Sequence, residues 1–475
     1  MAIFHEYDDY DGLGLAELIR RGDVSPDDLL DTAMARVTER NPKINAFASL
    51  FEARARGDIR AGLPAGPFCG VPFALKDLFM HFKGEVTGNG SRFWDGAVAT
   101  HDSELFARYR RAGFAIFGKT TTSQLGLGPA TETRAYGVTR NPWDLGRTSG
   151  GSSGGAAAVV AAGILPLAHA SDSGGSTRIP ASCCGLFGLK PTRGRMPMGP
   201  DRGESSGGLG SAHAVTRTVR DSAALLDATA GSDLGAPYGI MPPQRPWLDE
   251  VGAKPGRLRI AVWNEPPEGV VVHQDCIRAL EDAAALCRDL GHVVDIVPPA
   301  VDMAALDRNG VVVLAASTRL LIEARASELG RSPGQDDLEP AARTLWEAAG
   351  NYSALDYANA IAAYHRAGRQ LAAFQSEWDL ILTPTLAQPP VEVGTITTSD
   401  VDSEGFRPRS RAFNPFCSLA NRTGVPACSV PLYWNSADLP IGVQFMARFG
   451  DEATLFQIAS QLEQARPWSQ RSAPL

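Results

Sequence analysis

Hydrophobic and polar positions alternate differently in successive stretches of the chain. Residues 13 to 40 carry apolar side chains at helical spacing, and Ser25-Pro26-Asp27-Asp28 supplies a capping serine, a proline at the first helical position and an acid three residues after the cap. The pattern predicts a helical lead-in over residues 1–65. From Cys69 to about Gly231, short apolar runs such as Phe114 to Phe117 alternate with Gly, Ser and Thr clusters and with helical stretches at Asp102 to Ala112 and Ser222 to Ala230. That alternation predicts an α/β core. The small apolar run Ala156 to Ala168 reads as a buried helix; broken by Gly163 and Pro166, it falls short of the ~20 residues of a membrane span.

After a proline-rich surface excursion at Ala236 to Pro246, strands are expected at Arg257 to Trp263, His292 to Val297, Leu380 to Thr383 and Gly442 to Ala447. Helices are expected at Cys276 to Leu290 and Glu452 to Ala465, with residues 303–330 and 338–375 largely helical and 397–411 polar and loop-like. The chain then divides into the lead-in (1–65), a core (66–232), its continuation (233–302), a helical cap insertion (303–415) and closing core elements (416–475), within one large domain.

With 44% hydrophobic and 21% charged residues, the chain can bury a large core without staples. A net charge of −8 and a pI near 5.6 disfavour a nucleic-acid partner. The first residues, MAIFHEYDDYDG, are acidic where an export signal is basic, so a cytoplasmic protein is expected. The seven cysteines, irregularly spaced with Cys183 and Cys184 adjacent, form no disulfide framework or CxxC metal motif and are expected to be buried, reduced thiols. Only six of the forty-five basic residues are lysines: Lys43, Lys76, Lys83, Lys119, Lys190 and Lys254. Each lysine in a chain that otherwise writes arginine raises the question of what arginine could not do there.

Gly113 to Thr120 satisfies the phosphate-loop pattern, yet its middle residues Phe-Ala-Ile-Phe form an apolar strand where a cradle needs small flexible backbone. Gly150 to Gly154 and Gly151 to Gly155 both fit the G-x-S-x-G elbow, but Asn141 to Ser149 is not the apolar strand an elbow requires, and His169 and His213 sit among small or apolar neighbours as structural histidines.

A third set combines Val71-Pro72-Phe73-Ala74-Leu75-Lys76-Asp77-Leu78, the Gly150 to Gly155 loop and Ser171-Asp172-Ser173-Gly174-Gly175-Ser176-Thr177-Arg178-Ile179-Pro180. In this order, and with the continuations Pro180 to Thr192 and Gly424 to Pro431, they resemble the amidase signature family of serine hydrolases from about Leu13 to Trp468. The resemblance implies the family fold, a large mixed twisted sheet with helices on both faces. It implies amide hydrolysis through an acyl-enzyme, with Ser176 as nucleophile, Ser152 as a bridging serine after a cis peptide bond, and Lys76 as terminal base. It places the oxyanion hole at the N–H groups of Ser173, Gly174, Gly175 and Ser176, and implies no cofactor and no metal.

The residues themselves make this chemistry reasonable. Burial of Lys76 among Phe73, Ala74, Leu75 and Leu78 disfavours the ammonium, so a neutral amine can accept a proton, which an arginine cannot do. Ser153 is a candidate for hydrogen bonding within the relay, and Asp172 with Arg178 for pinning the loop. Relative to the family pattern, Thr121, Ser123 and Gln124 stand where Asn, Pro and Glu are common, Ser173 where Ile or Thr is common, and His213-Ala214 where Gly-Pro is usual. The last departure, with the Cys183 to Arg195 run, is most similar to the branch holding the hydrolase of the 6-aminohexanoate cyclic dimer. The expected partner is a small or medium amide, aryl, oligoamide or carbamate, acted on by a monomer or homodimer without nucleic acid or membrane. The competing readings are a glutamine-dependent amidotransferase A subunit and, from another class, a nucleotide-binding protein. Leu320, Leu321, Tyr352 and Phe413 are candidate pocket residues from the cap.

Overall fold

A computed structural model describes residues 3–267, 269–399 and 403–475. Asp400, which falls in the stretch expected to be a polar loop, lies outside the described residues, as do Val401 and Asp402. An eight-stranded mixed sheet forms the centre, in the order Val293–Ile296, Arg259–Val262, Leu380–Pro384, Pro440–Ala447, Ala427–Trp434, Phe187–Lys190, Ser211–Thr216 and Leu167–Asp172. Beside its Leu167–Asp172 edge lies a three-stranded sheet in which Ala115–Thr120 pairs parallel with Pro72–Lys76 and antiparallel with Phe47–Leu50.

Alternation along the strands divides the core. Ile441, Val443, Phe445 and Ala447 face the layer built from helices Val219–Thr229, Gln274–Asp289 and Glu452–Ala465. The opposite layer holds helices Gly154–Ala161 and Arg178–Cys184, rich in alanine and cysteine, which lie close to the strands. A third apolar cluster ties Met303–Leu329, Ala354–Phe374 and Ser418–Thr423 together beside the main core. All three sheet and helix layers follow the expected α/β texture, and Ser25 closes a reciprocal capping box with Asp28 on helix Pro26–Ile44.

Some local expectations are corrected. Phe47–Leu50 within the lead-in is a strand, because its backbone completes the edge of Ala115–Thr120. The run Ala156 to Ala168 is a helix only to Ala161; Gly163 at φ +66° turns the chain, and the next apolar residues enter strand Leu167–Asp172. Ser403–Phe413 is a helix within the stretch expected to be a loop, anchored inward by buried Phe406 and Phe413 despite its polar composition. Asp144–Thr148 does form a strand before the Gly-Ser loop, paired with Arg140–Asn141, but it is a polar, largely exposed ribbon.

Candidate active site

Lys76 ends strand Pro72–Lys76, every residue of which is buried, so its side chain has no route to solvent. Its backbone N–H donates to His169 Nδ1 at 3.0 Å, and its Nζ meets three hydroxyls: Ser152 Oγ at 2.7 Å, Ser153 Oγ at 2.8 Å and Ser171 Oγ at 3.0 Å. Burial pushes the Lys76 ammonium down to about 7, against the opposing pull of Asp172. Ser152 follows a cis peptide bond after Gly151, and helix Gly154–Ala161 starts immediately beyond. That close approach requires glycine: a Cβ on Gly155 would lie 2.5 Å from Thr121 N.

Ser176 lies in the turn after strand Leu167–Asp172, partly exposed, and its carbonyl accepts from Ser153 N at 3.2 Å. Ser176 and Ser152 line one cavity of about 500 Å³, together with Ser171, Ser173 and His169. The turn is held by Asp172. Its carboxylate accepts from Gly175 N at 2.7 Å, Thr177 N at 3.2 Å, Arg178 Nε and a guanidinium terminus at 2.9 Å, and Asn421 Nδ2 at 2.9 Å. Burial would raise this carboxyl, but the Arg178 charge and these bonds hold it well below the usual range. Arg178, itself fully buried, also reaches the Cys417 carbonyl, Gln444 and Asn421.

The expected set of four oxyanion donors needs one correction. Gly175 N–H is engaged by Asp172, whereas the N–H groups of Ser173, Gly174 and Ser176 have no acceptor among the described residues. Gly175 sits at φ +124°, and a Cβ there would meet Cys417 Cβ at 2.8 Å, so only glycine fits the turn.

Sequence reasoning missed Ser171, Asn414, Asn421 and Gln444. Asn414 Nδ2 donates to the Gly174 carbonyl at 2.8 Å. Ser171 opens the quoted Ser171 to Pro180 segment but was given no role there, although it lies near the end of the strand that carries the loop; the other three come from distant segments. Of the cap candidates, Leu320 and Leu321 line the cavity, whereas Phe413 is buried in the opposite layer; Tyr357 lines the cavity wall, and Tyr352 does not. The wall combines Leu78, Leu125, Leu127, Met198 and Leu314 with the charged Arg202 and Glu204.

The other motifs resolve structurally. Lys119, in the phosphate-loop match, is buried in strand Ala115–Thr120 and donates to the Met80 and Val86 carbonyls and Thr87 Oγ1. His213 is buried against Ser222 Oγ, and burial pushes its imidazolium down to about 3. Thr121 bonds Thr139, Ser123 bonds its own turn, and Gln124 holds Glu339 N at 2.7 Å, so these departures from the family pattern serve the scaffold.

A buried lysine in contact with a serine-bearing loop on this mixed sheet is the arrangement of an amidase, and residues 28–456 match the family model described as Amidase. The chain belongs to that family and is an amide hydrolase. It is 37% identical to the 6-aminohexanoate-cyclic-dimer hydrolase of Paenarthrobacter ureafaciens, across 98% of this chain and 96% of that one. A solved 6-aminohexanoate cyclic dimer hydrolase with bound substrate superposes at a TM-score of 0.93, with 33% identity and 99% of each chain covered. A bacterial aryl acylamidase of the amidase signature family superposes at 0.87, with 25% identity over 97% of each chain.

Proposed function

We propose that this amidase cleaves a small or medium carboxylic amide of oligoamide or aryl type, using Ser176 as nucleophile and Lys76 as terminal base. The observation that carries this reading is the contact of a buried Lys76 Nζ, its ammonium pushed down to about 7, with Ser152 Oγ at 2.7 Å, beside the cavity Ser176 lines. Ser176 Oγ attacks the amide carbonyl while its proton passes to Ser152 Oγ and the Ser152 proton passes to Lys76 Nζ. The N–H groups of Ser173, Gly174 and Ser176 receive the oxyanion, which removes about 2.7–4 kcal/mol of barrier per well-placed donor. On collapse, Lys76 returns the proton through Ser152 to the leaving amine, and the C–N bond breaks. Water then attacks the acyl-Ser176 ester by the same relay, releasing acid and free Ser176.

The likeness to cyclic-dimer hydrolases and an aryl acylamidase, together with the apolar wall around Leu78, Leu125 and Leu314, supports oligoamide and anilide substrates. The competitor is the glutamine-dependent amidotransferase reading, which would use Arg202 and Glu204 as charged lining residues. A cytoplasmic monomer or homodimer fits the seven free cysteines, six of them buried, and no helix among the described residues is long and apolar enough to cross a membrane. The test is turnover of a panel of p-nitroanilides, short nylon oligomers, carbamates, primary amides and glutamine by wild type and Ser176→Ala. Turnover of at least one anilide or oligoamide, lost by about 10³-fold or more in Ser176→Ala, supports the reading. Hydrolysis confined to glutamine, or full turnover by Ser176→Ala, overturns it.

A further inference from the structure

We propose that His81, His101 and Asp201 form a divalent transition-metal site of the zinc class that clasps one wall of the substrate cavity. Three separate segments bring these side chains together. His81 Nδ1 lies 2.9 Å and His101 Nε2 3.0 Å from Asp201 Oδ2, and one ligand atom from each residue lies within 4.8 Å of the other two. A zinc ion with bonds of about 2.0–2.2 Å needs its ligand atoms roughly 3.3 Å apart: the two histidine–Asp201 pairs stand near that spacing, and the two imidazoles, within 4.8 Å of each other, close on the ion by side-chain rotation. Two neutral imidazoles and a carboxylate also match zinc in donor type and supply one compensating negative charge.

The scaffold beneath is braced. The His81 carbonyl accepts from Ser103 N at 3.0 Å, and Glu104 N donates to the Gly199 carbonyl at 2.9 Å, so the segments of all three ligands are tied by backbone bonds. On metal binding each imidazole keeps its proton on the nitrogen away from the ion. For His101 that nitrogen, Nδ1, lies 3.3 Å from Thr100 Oγ1, which accepts it and fixes the ring. Arg202, next in sequence, is turned aside over the Phe79 ring at 4.0 Å from its centroid. Three protein ligands leave a fourth position for water. Asp201 and Arg202 both line the cavity, so an ion at Asp201 holds the 197–207 wall against the 79–103 segment.

The test is calorimetric titration of chelator-treated protein with ZnCl2 alone, alongside thermal unfolding and CoCl2 spectra. Wild type and Ser176→Ala are expected to bind one equivalent, unfold at higher temperature with zinc, and show visible Co²⁺ d–d bands. His81→Ala, His101→Ala and Asp201→Asn, each with an unchanged far-UV spectrum, are expected to bind at least 10–100-fold more weakly and to lose the bands. No saturable binding by wild type overturns the site, as does binding that the three variants retain at full affinity.

Discussion

Lys76 and Lys190 are both fully buried, and burial pushes both ammonium groups down to about 7. What separates them is the partner of each Nζ: Lys190 donates to the Pro191 carbonyl, whereas Lys76 is ringed by three hydroxyls. A carbonyl has no proton to give, so Lys190 cannot receive one from its neighbour, and Lys76 can. As a neutral amine, Lys76 has two N–H donors and one lone pair. Three hydroxyls satisfy all of them while one aims its proton at the nitrogen. Removing Ser171 Oγ leaves one amine donor unpaired in the buried site, so Ser171→Ala is expected to lower kcat/KM about tenfold, at about 1.4 kcal/mol. Steady-state kinetics check this, with thermal unfolding expected to show only a modest fall in midpoint. Lys76→Arg keeps a positive charge and a long stem but no removable proton, and is expected to be as inactive as Lys76→Ala in the same assay.

The turn from Asp172 to Arg178 joins a strand to a helix, and its shape depends on a fully buried ion pair. Arg178→Lys removes the bidentate contact to Asp172 and the contacts to Gln444 and Asn421. Lysine keeps the charge but leaves Gln444, Asn421 and one Asp172 oxygen without the guanidinium donor, each buried unsatisfied group costing about 1–3 kcal/mol, so a clear fall in denaturant midpoint is expected along with lost activity. Gly175→Ala is expected to destabilise by about 1–3 kcal/mol through its φ of +124° and to abolish turnover by moving the oxyanion donors. Much of this was legible in the sequence. Lys76, Ser152, Ser153, Asp172, Ser176 and Arg178 lie in three compact motifs, and their local residue types announce a buried strand end and two glycine turns. The partners Asn414, Asn421 and Gln444 were not legible, because each reaches the turn only through pairing and packing more than 200 residues away. The engagement of Gly175 N–H was hidden for a similar reason: which backbone donor stays free depends on where the Asp172 carboxylate is held.

Across the whole molecule, the two sheets and their helical layers hold Lys76 and the serine loops while the 303–375 helices close the cavity with Leu314, Leu320 and Tyr357. The α/β order of strands and long helices followed from apolar spacing, whereas the helix Ser403–Phe413 did not, since its two phenylalanine anchors sit among polar residues. The closing helices meet the core at Gln124, which donates to Ser91 Oγ at 2.9 Å and accepts from Glu339 N at 2.7 Å. Gln124→Ala leaves the Glu339 N–H buried without that partner, so it is expected to cost about 1–3 kcal/mol and to raise KM more than it lowers kcat. Thermal unfolding and steady-state kinetics measure both. The proposed mechanism has Lys76 act as a neutral base, and the pH dependence of kcat/KM reads that state directly. With its ammonium lowered to about 7 from an ordinary 10.5, the amine is protonated and inactive below that pH and free above it. Wild type is therefore expected to gain activity with rising pH through an apparent pKa near 7 and then level off, with Lys76→Ala losing about 10³-fold or more and the acidic limb together. A Lys76→Ala enzyme that keeps its neutral-pH turnover, or the same limb, would contradict the account.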